Sequence, residues 1–418
     1  MAKNFSCLTT TKMEILENGV FFEPYNLFTD FVGIEKYKTK KITKQTVSDG
    51  KVVYDYSKDK NILPSEVVLS DDKNSSIVKL RYSKTSDLKI ELKDNEFRIL
   101  KNGDVLPLKF QLVKKLEVME RETPFVVGGN KTKVCDYVDL VGLDRITVLF
   151  FDGCFNWISG KPCKFCDLHP REVDEIVIKP TCNCLHKFDF NIEKWWANYK
   201  DEYIKGLIYS LKQLENCEDL PHKHLFFMAG NLENCTQVWK IALEVIEELS
   251  KEIDLSKFDS YLNIAPHDNL DSLKKAKQLG IKQVQYNLEI TDKELFEFTC
   301  PGKISYDEFV KKLKEAVDVF GFGCVRSNFV FGLEEKESML KNLKDFAKLG
   351  IVADYSVFQP KKGTPYQDKP APNSDDIIEF TNALADIYVE HNFKPIFCSL
   401  SSRSSLINEI YKDKKDNG

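Results

Sequence analysis

Short stretches of alternating polar and apolar residues fill the first third of the chain, a pattern typical of β-strands with one buried face. Residues 77–82 and 88–92 alternate in this way. Asn102-Gly103 lies between two apolar runs, which is the strongest short signal for a hairpin. The pattern predicts a β-rich domain over residues 1–140. We expect it either to bind a substrate or partner or to be a structural flank.

From residue 146 onward the pattern changes, because apolar runs of strand length alternate with stretches whose apolar residues recur at helical spacing. The predicted strands are 146–151, 225–229, 261–265, 284–290, 324–331 and 354–358. The predicted helices are 192–214, 236–251, 270–279, 309–320, 339–347 and 375–391. Regular alternation of this kind predicts an α/β fold with a parallel sheet and helices outside. Six strands fit a partial (β/α)6 barrel of the TIM type over residues 141–370, with residues 371–418 as an extension that closes the barrel.

Three cysteines follow the first predicted strand of the barrel. The strand ends at Asp152-Gly153, a turn dipeptide, and Cys154, Cys163 and Cys166 come directly after it. Active-site residues of such folds lie at the carboxyl ends of the strands. Thiolate sulfur is a soft ligand that suits zinc or an iron–sulfur cluster. The sequence therefore predicts a metal site in this loop.

Three thiols are compatible with two kinds of metal site. A four-iron cluster held by three cysteines keeps one iron without a protein ligand, where a small molecule can bind. A structural zinc site needs four protein ligands, and His169, three residues after Cys166, would supply the fourth. The zinc interpretation corresponds to a zinc-dependent barrel hydrolase.

The cysteine loop resembles the cluster-binding loop of the radical S-adenosylmethionine (radical SAM) superfamily. In that superfamily three cysteines after the first barrel strand hold a four-iron, four-sulfur (4Fe–4S) cluster, and an aromatic residue typically precedes the last one. Phe165 stands at that position. Most members have three residues between the first two cysteines, whereas this chain has eight, residues 155–162. The spacing leaves the subfamily open.

The resemblance implies roles for residues at the ends of the later strands. The second strand would meet the ammonium group of SAM, the fourth its ribose, the fifth its adenine and carboxylate, and the closing loop its adenine. A structural salt bridge is the alternative for the arginine of the fifth strand, and a solvent-facing strand end is the alternative for the fourth. The residues at these positions are Gly230, Asn231, Asn287, Glu289, Arg326, Gly332 and Gln359.

The resemblance also implies the reaction. A reduced cluster passes one electron to SAM, and the resulting 5′-deoxyadenosyl radical takes a hydrogen atom from the substrate. Flavodoxin or ferredoxin would supply the electron. On the substrate side, Cys398 and Arg403 are the candidates, since a serine-rich turn with one arginine suits an anion. The alternative there is a helix N-terminus capped by serine.

Composition and charge limit the classes of partner that the chain is expected to bind. The net charge of −5 gives no general reason to expect binding to nucleic acid or to an anionic membrane, and no run of 18 apolar residues exists. Twelve cysteines are dispersed along 418 residues, unlike the dense cysteines of a small secreted scaffold. We therefore expect a cytoplasmic protein that acts on a small metabolite. The open alternatives are a peptide substrate and a non-enzymatic interaction protein that binds through its amino-terminal strands.

Overall fold

The computed structural model describes residues 5–23, 27–28, 36–41, 44–48, 51–55, 62–127, 130–150, 154–168, 192–220, 222–396 and 402–416. The chain forms two compact units. Unit one consists of Met1–Lys115, Val330–Leu340 and Tyr355–Gly418, and unit two of Leu116–Phe329 and Lys341–Asp354. The predicted division at residues 140 and 370 stays a prediction.

The first part of unit one is rich in strands, as the alternating pattern predicts. It begins with helix α1 (Cys7–Asn18), whose first turn is capped by the Oγ of Ser6, which accepts a hydrogen bond from the main-chain N–H of Thr9. The strands that follow are β1 (Phe21–Phe22), β2 (Thr39–Lys41), β3 (Lys44–Ser48), β4 (Lys51–Asp55), β5 (Ile62–Pro64), β6 (Glu66–Ser70), β7 (Ser75–Lys79), β8 (Leu88–Lys93), β9 (Glu96–Lys101), β10 (Asp104–Val105) and β11 (Lys109–Leu112). They form the sheets β1-β8-β9-β10, β11-β6-β7, β2-β5 and β3-β4.

The predicted hairpin at Asn102-Gly103 is confirmed. Strands β9 and β10 pair in antiparallel fashion on either side of it. Asn102 and Gly103 have φ angles of 52° and 93°. Positive φ at both central residues is what a tight hairpin turn of matching twist requires.

Unit two is built on a sheet with the strand order β14-β15-β16-β17-β18-β19-β20. Strands β15 to β19 pair in parallel, each with the next along the chain, and β14 pairs with β15 in antiparallel fashion. The strands from residue 116 onward are β12 (Glu122–Val127), β13 (Asn130–Lys133), β14 (Asp139–Val141), β15 (Arg145–Leu149), β16 (His224–Met228), β17 (Tyr261–Asn263), β18 (Gln283–Gln285), β19 (Val325–Phe331) and β20 (Ile351–Val357). The predicted fold class, α/β with a partial TIM-like barrel, is confirmed, and β14 is an edge strand that the pattern did not predict.

Helices separate the parallel strands. Helix α2 (Val134–Tyr137) precedes β14. The helices between the parallel strands are α3 (Phe155–Ile158), α4 (Ile192–Glu215), α5 (Cys235–Glu252), α6 (Leu270–Gln278), α7 (Lys293–Thr299), α8 (Tyr306–Phe320) and α9 (Lys336–Lys348). Most residues of the predicted apolar stripes are buried; in α5, for example, Val238, Ala242, Val245 and Leu249 are each at most 1% exposed. Leu270, the first residue of the predicted stripe of α6, is an exception at 37% exposed. Hydrophobic burial on this scale is the main force that holds such helices on a sheet.

The chain after β20 returns to unit one. Helix α10 (Ser374–Glu390) matches the predicted helix, and α11 (Ile407–Asp416) follows it. Lys12 of α1 is fully buried and forms a salt bridge with Glu409 of α11. The carboxyl-terminal helices and α1 therefore share one unit. No helix in the described part of the chain has the length and apolar character needed to cross a bilayer.

The fourth parallel strand is shorter than predicted, and its end has an unusual backbone. The prediction was residues 284–290, whereas β18 ends at Gln285. Beyond it, Tyr286 N–H donates to the carbonyl of Arg326 and Glu289 N–H to that of Asn328, both at 3.0 Å. Glu289 has a φ of 73°, a left-handed conformation that is uncommon for residues other than glycine. Regular strand pairing thus ends at Gln285, and an isolated bridge pairs Glu289 with Phe329 beyond it.

Candidate functional site

The cysteine loop is attached to the end of the neighbouring strand. Cys154 is the N-cap residue of α3. The N–H of the next residue, Phe155, donates to the carbonyl oxygen of Asn231 at 2.7 Å, just beyond β16. Main-chain N–H groups of Asn156 and Asn231 donate to the sulfur of Cys154. Gly230, half-buried, lies between β16 and Asn231. The predicted residues Gly230 and Asn231 therefore lie beside the first cysteine, with the main chain of Asn231 in contact with it.

Cys163 and Cys166 lie on one tight turn, as predicted. The N–H of Cys166 donates to the carbonyl of Cys163 at 3.0 Å. Phe165, between them, is half-buried, as are all three cysteines. None of the cysteines in the described residues forms a disulfide. The thiols are therefore available to a metal.

A second segment, Thr299–Lys303 (the 299–303 segment), packs directly on the cysteine loop. The N–H of Lys164 donates to the carbonyl of Thr299 at 2.9 Å. A Cβ on Gly302 would lie 2.4 Å from the carbonyl oxygen of Lys161 and 2.6 Å from Cγ of Asn156. No residue larger than glycine fits there without displacing the main chain. These contacts were not predicted from the sequence.

The 299–303 segment also brings a fourth thiol to the site. Cys300 is 1% exposed and shares a hydrogen bond with Cys163. That hydrogen bond and burial raise the pKa of Cys163 well above its ordinary value. Burial likewise raises the pKa of Cys154. Cys154 and Cys163 therefore hold their protons more tightly than an exposed thiol does, and a bound metal would have to displace those protons.

A connected row of polar side chains lies beside the cysteine loop. The amide nitrogen of Gln285 donates to Oδ1 of Asn287 at 2.8 Å, and the N–H of Asn328 donates to the same oxygen at 3.3 Å. The Nδ2 of Asn328 donates to Oε2 of Glu289 at 3.3 Å. The structure thus brings the predicted pair Asn287 and Glu289 together through Asn328. The buried Oε1 of Gln285 has no hydrogen-bond partner among the described residues.

Lys303 joins the polar row to the thiols. Its ammonium donates to the carbonyl of Asn287 and lies 3.4 Å from Oε1 of Glu289. Burial alone would lower the pKa of Lys303, but the charges of Glu289, Cys163 and Cys300 outweigh it and the pKa is raised. Lys303 is therefore a positive charge in a largely buried position.

Arg326 forms a salt bridge with a carboxylate of the protein. Its side chain is 2% exposed and forms two hydrogen bonds with Asp354 of β20. This is the salt bridge that the sequence left open as the alternative. Because the guanidinium fork already has a carboxylate, the predicted contact with the SAM carboxylate stays a prediction that this geometry does not favour.

The remaining predicted residues lie in unit one, and two of them are used in packing. Gly332 has a φ of 103°, and a Cβ there would lie 2.7 Å from Cδ of Pro372. The Nε2 of Gln359 donates to the carbonyl of Leu16 at 2.9 Å. A role for either residue with adenine stays a prediction.

Of the two substrate-side candidates, Arg403 belongs to the described residues and Cys398 does not. Arg403 donates from Nη1 to Oε2 of the buried Glu66 at 2.6 Å, and Lys38 contacts the other oxygen of the same carboxylate. The positive charge of Arg403 is therefore already paired. Cys398 lies outside the described residues, as do His169, the proposed fourth zinc ligand, and Asp152-Gly153.

The three thiols of the cysteine loop are soft ligands of the kind that both zinc and an iron–sulfur cluster accept. Within the described ranges, no three side chains of histidine, cysteine, aspartate or glutamate converge closely enough to bind one metal ion. A zinc ion needs its ligands on one centre. The thiolates of a four-iron cluster each bind a different iron, so they surround a larger volume. Cys163 is close enough to Cys154 to raise the pKa of Cys154 electrostatically. Three half-buried thiols on one loop are the number of protein ligands that a four-iron cluster with one open iron needs. The zinc alternative needs His169 as its fourth ligand, and His169 lies outside the described residues.

The chain is similar to a protein of known activity. It is 28% identical over 263 residues to the bacteriochlorophyllide c C-7(1)-hydroxylase of Chlorobaculum limnaeum, a match that covers 59% of this chain and 60% of the hydroxylase. The chain thus matches about three fifths of the length of this relative. No protein-family model matches the chain.

Solved structures give weaker likenesses. Coproporphyrinogen III oxidase (HemN) of Escherichia coli, described as a radical SAM enzyme, is 14% identical with a TM-score of 0.40, over 66% of this chain and 59% of that one. The FeFe-hydrogenase maturase HydG of Carboxydothermus hydrogenoformans is 14% identical with a TM-score of 0.38, over 59% and 52%. Methylornithine synthase (PylB) is 16% identical with a TM-score of 0.37, over 66% and 82%.

Several features of the chain support the resemblance that the cysteine loop indicates. The cysteine loop follows the first parallel strand, the ordered polar residues lie at the end of the fourth, and the strand order is that of a partial barrel. These findings and the similarity to the hydroxylase agree with the resemblance of the cysteine loop to the radical SAM superfamily.

Proposed function

We propose that this protein cleaves SAM reductively at a 4Fe–4S cluster and uses the resulting 5′-deoxyadenosyl radical to abstract hydrogen from a substrate. Cys154, Cys163 and Cys166 would hold the cluster. The observation that carries the proposal is the packing of these half-buried thiols beside the polar row of Asn287 and Glu289. A ribose has two hydroxyl groups, which match the carboxylate and amide oxygens that this row presents.

The residues of the chain have defined tasks in this proposal. When bound, the cluster supplies one low-potential electron and SAM supplies the reactive carbon. The protein holds the thiols in place through the main chain of Asn231 and the 299–303 segment. Glu289 is oriented by Asn328 and Lys303, so its carboxylate needs no reorganisation to accept a hydroxyl hydrogen bond. Half-burial of Phe165 and the cysteines limits the access of water.

The proposed substrate is a small molecule. The acidic composition of the chain, with a net charge of −5, supports no nucleic-acid partner. The similar hydroxylase is named for a small-molecule substrate. Flavodoxin or ferredoxin is the proposed electron donor. We propose a cytoplasmic location because thiol ligands must stay reduced.

The test is formation of 5′-deoxyadenosine by the anaerobically reconstituted protein with dithionite and SAM, measured by liquid chromatography and mass spectrometry. The wild type should form it, and C154A, C163A and C166A should not. The matched control is C217A, because Cys217 is also half-buried but lies after α4. Equal product from all three cysteine variants and the wild type would rule the proposal out.

A further inference from the structure

Lys303 is the charged group of the 299–303 segment that faces the thiols. Its side chain is 13% exposed, and its ammonium contacts Glu289 and the main chain of Asn287. It also interacts electrostatically with the sulfurs of Cys163 and Cys154. A buried charge acts over a longer range than an exposed one because less water screens it. Lys303 is thus placed to act on whatever the thiols bind.

Cys300 is the second group of the segment that reaches the thiols. It is 1% exposed and hydrogen-bonds to Cys163. Once Cys163 binds a metal as a thiolate it has no proton to give. The S–H of Cys300 is then the donor and the sulfur of Cys163 the acceptor.

We propose that Lys303 and Cys300 raise the reduction potential of the cluster, Lys303 through its positive charge and Cys300 through its S–H donor to a ligating sulfur. The inference rests on the proposed function, because it requires the cluster to be bound. On reduction the cluster takes one electron, with dithionite as the donor in the experiment, and no proton is transferred. The added negative charge is stabilised by a nearby cation and by donors to the sulfurs, so both favour the reduced state.

The geometry of the segment explains why both groups stay in place. Gly302 permits contact with the carbonyl of Lys161, and the carbonyl of Thr299 is bonded to the N–H of Lys164. The segment is therefore fixed on the cysteine loop at both ends. Lys303 and Cys300 are positioning residues in this account, since neither is assigned a contact with the substrate.

The experiment is a redox titration of the reconstituted cluster without SAM, with dithionite as reductant, followed by electron paramagnetic resonance. We expect a more negative midpoint potential for K303M and for C300A than for the wild type. K303R should stay close to the wild type because it keeps the charge. The matched control is K293M, since Lys293 is 56% exposed and pairs with Asp307; its midpoint should be unchanged.

The remaining outcomes of this experiment either support or contradict the effect of Lys303 and Cys300 on the potential. A midpoint for K303M and C300A equal to that of K293M would overturn it. If K303M takes up no cluster, the iron content of K303R is measured instead. Iron in K303R would support a need for the positive charge, and no iron in K303R would contradict it. A wild type that takes up no cluster at all would instead contradict the proposed function, so the two failures are distinguishable.

Discussion

Arg326 of β19 and Asp354 of β20 form a two-pronged salt bridge in which Nε donates to one carboxylate oxygen at 2.6 Å and Nη2 to the other at 2.5 Å. Both side chains are at most 8% exposed. A buried ion pair is a weak source of stability, but removal of one partner leaves an unpaired buried charge. The pair therefore has to be kept or replaced together.

Replacement of Asp354 should accordingly be costly. We expect D354A to lower the free energy of unfolding by about 3–5 kcal/mol, measured by urea denaturation of the cluster-free protein. The control is D345A, which breaks the exposed pair of Asp345 with Lys348 and should cost at most about 1 kcal/mol. Equal losses for the two variants would mean that Asp354 does not neutralise Arg326 in solution.

A second prediction concerns the contact between the 299–303 segment and the cysteine loop. G302A should reduce the iron content of the reconstituted protein, because its Cβ would lie 2.4 Å from the carbonyl of Lys161. G206A is the matched control: its Cβ would lie 2.0 Å from the ring of Tyr137, so it also overpacks the protein, but away from the thiols. Both variants should lose thermal stability, and only G302A should lose iron. Full iron content in G302A would show that the contact does not position the loop.

The third prediction tests Glu289 as a ligand for the ribose. Glu289 holds a left-handed backbone conformation, which costs about 1–3 kcal/mol and is typical of functional sites. E289Q should weaken SAM binding to the cluster-loaded protein by about 10- to 100-fold, since hydrogen bonds to a charged group contribute about 1.5–3 kcal/mol. Calorimetric titration would measure the dissociation constant. E294Q, at an exposed position of α7, should bind as the wild type does; an unchanged constant for E289Q would remove Glu289 from the site.

A fourth prediction follows from the carboxylate that pairs with Arg403. Burial alone would raise the pKa of Glu66, but the charges of Lys38 and Arg403 outweigh it, so the pKa lies below its ordinary value of 4.5. The stability that the ionised Glu66 contributes is present above pH 4.5 and is lost as the pH falls through the lower folded-state pKa. The free energies of unfolding of the wild type and of E66Q should therefore differ by a constant amount from about pH 7 to about pH 5. This difference should become smaller in more acid solution.

The control for this prediction is E96Q, because Glu96 is exposed on β9. It should differ little from the wild type at every pH. A difference between the wild type and E66Q that grows toward acid pH would contradict the sign of the shift.

The local pattern of the sequence predicted the longer helices after residue 190 and most of the parallel strands, but it did not predict α1, α2, α3 or α7. Apolar residues at helical spacing mark the buried face of α5, and the Asn102-Gly103 turn marks a hairpin, because each depends on residues close together in the chain. The end of β18 was missed because residues 286–290 continue the apolar and polar alternation although the regular strand stops at Gln285. The edge strand β14 is three residues long and carries little pattern.

The candidate site was predicted in part. The three cysteines and the Asn287–Glu289 pair follow from position at strand ends. The contact of Cys300 with Cys163 joins residues far apart in the chain, which no local pattern encodes. One signal was present, since Lys303 follows the fourth strand at the edge where active-site groups lie. For Arg326, the acidic Asp354 inside an apolar strand was the corresponding signal of a buried partner.

The central claim is that three thiols of one loop hold a 4Fe–4S cluster. The most direct measurement is the iron, acid-labile sulfide and zinc content of protein purified without oxygen, for the wild type and for C154A, C163A and C166A. The account predicts iron and sulfide in equal amounts, about four of each per chain in the wild type, and their loss from each variant. One zinc per chain with no sulfide, or iron that persists in all three variants, would contradict it.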